Sequence, residues 1–309
     1  MKRAVIKLIA LAMMMSSGMA QKIGVSMSLF DDVLLAAHRR NLEKMAKERG
    51  VQIQFEDGQG DIGKQLSQVQ NFIAQKVDVI ILNPVDTAAT PQMTKLVTEA
   101  GIPLVYFSRA PEEAATGKLP KGVYYIGADE NTSGTQQAKE MARLMGGKGK
   151  VVIMMGQLGD NATNLRTEGE EKVFGEYPDI KIVEKQSGNF FRIEANDLMR
   201  NWIVGGVEID AIAANNDEMA IGAIMALQQA GKDPKPLVIG GVDGTPDALR
   251  EIKEGNLDVT MFQDSPGISK ATLDTAIKVA KGEPAETFTW VPFKLITKSN
   301  YEEFLGKNQ

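Results

Sequence analysis

Two α/β lobes, each a doubly wound parallel sheet covered by helices on both faces, are the fold class this sequence predicts. Three observations predict it. Short β-branched runs alternate with amphipathic stretches along nearly the whole chain, and the alternation starts afresh near its middle. The strand candidates VDVIIL and KVVIMM are apolar almost throughout, as strands buried on both faces must be. A chain of 309 residues that is 43% apolar is also long enough for two separate cores.

The first twenty residues read as an export address, not as part of that fold. Lys2, Arg3 and Lys7 precede or enter an apolar stretch running through Met15, and Gly18-Met19-Ala20 offers small residues for cleavage before Gln21. The stretch is shorter than the roughly 20 residues a spanning helix needs, and no later segment approaches that length. From Lys22 the chain reads strand over 22–28, helix over 33–49, strand over 51–56 and helix from Asp61. Strand 77–82 leads to a helix from Thr87. Strand 102–107 leads through a Pro/Gly-rich loop to strand 123–126 and a helix over 131–145. The second series has strands at 151–155, 180–185, 211–214 and 237–239, each leading into a helix. Right-handed crossovers join such strands in parallel. The halves share this rhythm but no sequence repeat.

Composition removes several classes of function. The net charge of −5, more negative by three without the cations of the export address, and the lack of a Lys/Arg block argue against nucleic acid, whose affinity rests on phosphate neutralisation. With no cysteine there is no disulfide and no thiol nucleophile. The single histidine, His38, falls within the first helix and reads as a partly buried helix residue. No second His is available for a His-rich metal site, and no GxSxG elbow accompanies it. GQGDIG over 58–63 matches G-x-G-x-x-G but follows the second strand, so its glycines read as a tight connection with Asp61 as helix cap. DGQGD over 57–61 lacks EF-hand spacing. No metal and no cofactor is expected.

In open α/β sheets ligands collect beyond the carboxyl ends of the strands. Asp31-Asp32 follow the first strand, Asn83 the third and Ser108-Arg109 the fourth. In the second series Arg166, Phe190, Asn216-Asp217 and Asp243 occupy the matching places. Carboxylate and amide oxygens accept from ring hydroxyls, Arg and Asn donate to them, and an aromatic face covers C–H surface, so the set suits a polyhydroxylated ring. Asp31, Asp86 and Asp217 also suit plain helix caps. Arginines do not cap helix N-termini, where their charge opposes the dipole, so Arg109 and Arg166 carry the binding argument.

NPVD (83–86), AGIPLVYFSR (100–109), NNDEMAIGA (215–223) and GGVDGTPD (240–247) resemble the periplasmic sugar-binding proteins of the ribose-binding type, which supply ABC importers. The resemblance covers nearly all of 22–299. It implies a type I periplasmic binding protein: two lobes joined by a three-strand hinge, crossing near Gly127, Gln263 and Val291, that close over a ligand. The lobes are then 21–127 plus 264–290 and 128–263 plus 291–309, behind a signal peptide over 1–20. The resemblance also implies a monomer in the periplasm that binds a small polyol or sugar, delivers it to an inner-membrane ABC permease and catalyses no reaction. Carried over motif by motif, the pocket falls on Asp32, Leu34, Leu35, Asn83, Ser108, Arg109, Arg166, Phe190, Asn216, Asp243 and Gln263.

Several positions depart from the ribose pattern, which has Asn at Asp32, stacking phenylalanines at Leu34 and Leu35, and Asp at Ser108. LFDD (29–32), MMGQL (154–158), DLMRNW (197–202) and DVTMFQ (258–263) look like the inositol- and rhizopine-binding subgroup. On that likeness Phe30 replaces the missing aromatic wall, Asp31 caps the helix, and Asp32 reaches into the cleft to accept from a ring hydroxyl or pair with a ring ammonium. The expected ligand is a cyclitol, myo-inositol or an aminated inositol. The alternatives are a pentose or hexose such as ribose, or a glycosidase using Asp32 and Asp243 as its carboxylate pair, although nearby arginines would keep those acids ionised. A DNA-binding repressor core would carry a helix-turn-helix where this chain has its export address.

Overall fold

The computed structural model describes residues 21–308, so the export address expected over 1–20 lies outside the described residues. In the first series β1 (Lys22–Met27), α1 (Val33–Glu48), β2 (Gln52–Asp57), α2 (Ile62–Ala74), β3 (Val79–Leu82), α3 (Thr90–Glu99), β4 (Leu104–Phe107) and β5 (Val123–Gly127) alternate. The second series is α4 (Glu130–Leu144), β6 (Lys148–Met155), α5 (Asn161–Gly175), β7 (Asp179–Ser187), α6 (Arg192–Val204), β8 (Ala211–Ala214), α7 (Asp217–Gln229), β9 (Val238–Asp243), α8 (Pro246–Glu254) and β10 (Val259–Phe262). It is followed by α9 (Ser265–Ala280), β11 (Phe288–Trp290) and β12 (Lys294–Thr297). The strand rhythm did not single out β10.

The strands form two six-stranded sheets, β11-β5-β4-β3-β1-β2 and β12-β10-β9-β8-β6-β7. All pairings are parallel except that of β12 with β10. Each sheet reverses direction beside its first strand, between β1 and β3 and between β6 and β8, and there opens a crevice at the strands' carboxyl ends. The chain passes between lobes three times: from β5 to α4, from β10 to α9, and from β11 to β12.

Burial on both faces explains the apolar strands. Val79 and Ile81 of β3 face one core of the first lobe, while Ile80 and Leu82 face the other, the period of two that a pleated strand imposes. In β6, Val152 and Met154 divide from Val151 and Ile153 in the same way. Ala128, Val242, Met261 and Phe293 form a small cluster where the chain crosses between lobes. Among the described residues no helix is long and apolar enough to cross a membrane.

Candidate functional site

The first lobe brings its side chains to the cleft through the N-terminus of α1 and the turn after β4. Asp32, not Asp31, caps α1, its Oδ1 accepting from Leu35 N at 2.8 Å, and Asp31 is exposed. The cap assigned to Asp31 from sequence is therefore corrected: the residue whose backbone is extended just before the helix is the next one. Asp32 still lines the cleft, followed by Leu34 and Leu35. After β4, Ser108 turns the chain with φ of 62°, and Arg109 donates from Nη1 to the carbonyls of Pro84 (3.1 Å) and Val85 (3.3 Å). Its Nε lies 2.9 Å from Asp160 Oδ2 of the second lobe, an ion pair spanning the cleft at an angle too bent for a linear hydrogen bond. Beside it Thr87 Oγ1 donates to Gly159 O at 3.1 Å.

In the second lobe the position of Arg166 depends on a glycine. A Cβ on Gly134 of α4 would sit 2.1 Å from the Arg166 carbonyl oxygen, so only glycine lets α4 and α5 approach this closely. At that separation Arg166 Nε donates to Glu130 Oε2 at 2.7 Å and Nη1 to Asn215 O at 2.6 Å, with Asp243 Oδ1 3.9 Å from Nη1. Asn216 caps α7 by accepting from Met219 N and donates to Phe190 O at 3.1 Å, which leaves one amide N–H for the cavity. Asp217, offered from sequence as a cap, is instead fully buried and accepts from Thr245 N (2.8 Å) and Thr260 Oγ1 (2.6 Å). Asp61 and Asp86 do cap, accepting from Lys64 N and Ala88 N.

These residues line one cleft between the lobes, Asp32, Leu34, Leu35, Ser108 and Arg109 from one lobe and Arg166, Phe190, Asn216 and Asp243 from the other, with Gln263 at a crossing. Two of the sequence-selected residues lie outside this lining. Asn83 is fully buried beneath it, accepting from Ser28 Oγ at 2.7 Å and donating to Phe107 O at 3.2 Å, and so ties the ends of β1, β3 and β4 together. Phe30 packs against the first lobe's core under the Arg39 guanidinium, 4.2 Å from its ring centroid, so Phe190 is the aromatic face in the cavity. Sequence reasoning missed Glu130, Asp160 and Ala162 in the lining. The first two sit at the starts of α4 and α5, and applying the helix-start rule after both β5 and β6 would have found them. Ser108, Phe190 and Asp243 (φ of 122°) are also three of the six described non-glycine residues with positive φ, conformations that cost about 1–3 kcal/mol and gather at binding sites.

Burial governs the charges here. Desolvation raises the carboxyls of Asp243 and Glu130, and Arg166 opposes it in both. Burial also works against the charge of Arg166, but Glu130 and Asp243 more than offset it and hold the guanidinium cationic. Glu170, behind Arg166 and accepting from Asn215 Nδ2 at 3.2 Å, is pushed up to about 8 by burial, and Asp217 to about 7. His38 is fully buried between α1 and α9, beyond the partial burial expected of it. Desolvation lowers it to about 3, so it is neutral, with Nδ1 3.1 Å from Ser269 Oγ. Among the described residues no three His, Cys, Asp or Glu side chains are grouped to hold a metal.

A family model described as a periplasmic binding protein domain matches residues 23–284. The chain is 45% identical over its full length and that of a Rhizobium meliloti protein named "Putative rhizopine-binding protein". It is 31% identical to a ribose import binding protein of Bacillus subtilis, covering 89% of this chain and 87% of that one. The crystal structure of an ABC transporter solute binding protein from Bacillus halodurans with bound myo-inositol superposes with a TM-score of 0.87 at 38% identity, over 93% of this chain and 98% of that chain.

Proposed function

The chain belongs to the periplasmic binding protein family, among the sugar-binding proteins of ABC importers, and we propose that its ligand is a cyclitol, myo-inositol or an aminated inositol. The observation that carries this reading is the cavity wall: four carboxylates, two guanidinia, one aromatic face and the amides of Asn216 and Gln263 surround it. A ring bearing a hydroxyl on every carbon presents donors and acceptors around its whole rim, which that wall matches. Each charge-assisted bond contributes about 1.5–3 kcal/mol, so a handful accounts for a micromolar ligand, about −8 kcal/mol. The relative named for rhizopine and the myo-inositol-bound structure support the same class.

In this reading residues 1–20 direct export and are removed. The lobes are 21–127 plus 264–290 and 128–263 plus 291–309, and they rotate about the three crossings to enclose the ligand. The monomer releases its ligand chemically unchanged to a membrane permease. Leu34 and Leu35 contact the C–H edge, Phe190 stacks on the ring, and Arg166 Nη2 donates to a ring hydroxyl. The ribose relative and the arginine-aspartate frame favour a pentose or hexose receptor as the second reading. Calorimetric titration of the exported form with myo-inositol, an inosamine, ribose and glucose decides between them. Binding of ribose without either cyclitol rejects the cyclitol assignment.

A further inference from the structure

The charges lining the cavity do not balance. Arg109 and Asp160 neutralise one another across the cleft at 2.9 Å, and Asp32 commits one oxygen to capping α1. Among the described residues Arg166 is then the one cation set against both Glu130 and Asp243, at 2.7 and 3.9 Å, and all three residues are at most 6% exposed. The other titratable groups facing this triad add no cation: Asp217 at the start of α7, Asp32 from the opposite lobe, Asp160 and Glu170 on either side of Arg166 in the sequence, Asp129 beside Glu130, and the buried phenol of Tyr125, which donates to Ser108 O. An uncompensated carboxylate in so dry a place costs several kcal/mol, a cost that either a bound proton or a second cation removes. Gln263 points the same way. Its Oε1 is buried with no hydrogen-bond donor among the described residues, while its Nε2 lies 3.4 Å from Glu130 Oε1.

We infer that in the free cleft Glu130 and Asp243 hold one proton between them, and that the ammonium of an aminated cyclitol replaces it, whereas a neutral cyclitol leaves it in place. The exchange is balanced. One O–H bond of a carboxylic acid breaks, the proton passes to solvent, and the ammonium keeps its own protons and turns its N–H groups to Glu130, Asp243 and Gln263 Oε1. Burial raising both carboxyls against the pull of Arg166 agrees with a proton held there. Glu130 thereby becomes a specificity-determining residue, reading the charge of the ligand, while Arg166 and Asn216 read its hydroxyls. The inference rests on the cyclitol reading.

The test is calorimetry with an inosamine and with myo-inositol between about pH 5.5 and about pH 7, where an aliphatic amine stays charged, in two buffers of different ionisation enthalpy. Inosamine binding is expected to release up to one proton and to tighten as pH rises, towards about tenfold per pH unit, while myo-inositol shows no proton release and a flat profile. In Glu130→Gln, which keeps an acceptor for Arg166 Nε, and in Asp243→Asn, the inosamine slope flattens in protein verified as folded by its melting curve. Parallel pH profiles for the two ligands, or an unchanged slope in both variants, overturn the inference and leave the cyclitol reading standing. Failure of both ligands to bind overturns the cyclitol reading itself.

Discussion

The two walls of the cleft are built on different principles. On the first-lobe wall Leu34 and Leu35 are apolar, Asp32 is partly occupied by a helix terminus, and Arg109 is held by the Pro84 and Val85 carbonyls and by Asp160. The second-lobe wall is a buried ionic frame in which Arg166, Glu130, Asp243 and Asn215 hold one another before any ligand arrives. The contrast teaches that the second lobe is preorganised to recognise and the first mainly closes: a dry charge network keeps its geometry only if each member is held by others, whereas a lid needs complementary shape and a latch.

Arg166→Met breaks the contrast most severely. It strands Glu130 and Asp243 as buried unpaired acids, so stability falls by about 3–5 kcal/mol on thermal or urea unfolding and ligand binding drops below detection by calorimetry. Glu170→Gln comes next and acts through pH. The folded carboxyl titrates near 8, above its unfolded value, so the folded state holds a proton that the unfolded chain loses and wild-type stability declines as pH rises through that window. The variant is therefore expected to melt a few degrees above wild type at about pH 9, with the gap closing towards about pH 5. A gap independent of pH would show that Glu170 carries its charge throughout. Asp160→Asn keeps an acceptor for the α5 cap but loses the latch to Arg109, so affinity should fall by about tenfold for every ligand alike, with a more open free protein by small-angle scattering. Selective loss for one ligand would make Asp160 a recognition group. Phe30→Ala is the smallest change for binding: it lowers the melting temperature and moves affinity by less than about twofold, since its ring lies under Arg39 and outside the cavity.

Local chemistry made much of this legible. Arg109 and Arg166 stand out in the sequence because a guanidinium is disfavoured at a helix N-terminus, and both line the cavity, although Arg166 sits in the second turn of α5 and not at its start. Choosing between neighbours was harder. Asp31 and Asp32, or Asn216 and Asp217, are equally good caps on paper, and which one caps depends on where the extended backbone turns helical. Glu130 escaped notice because its partner lies 36 residues away on another helix. Asn308 gave no signal at all, yet its side chain donates to Asp243 O at 2.8 Å and Gln263 O at 2.9 Å, fastening the chain's end to the second crossing.

What the sequence determined by itself was the alternation of strands and helices, the two buried sheets and the crowding of polar residues at their carboxyl ends, because periodicity, β-branching and capping act between residues a few positions apart. Only the tertiary structure decided that Gly134 brings α4 against α5, that Arg166 is shared by two acids, and that Asp160 reaches Arg109 across the cleft. Those outcomes depend on distances between distant segments and on how little water is left between them. Charge strength and helix separation are set by packing, which no local pattern encodes.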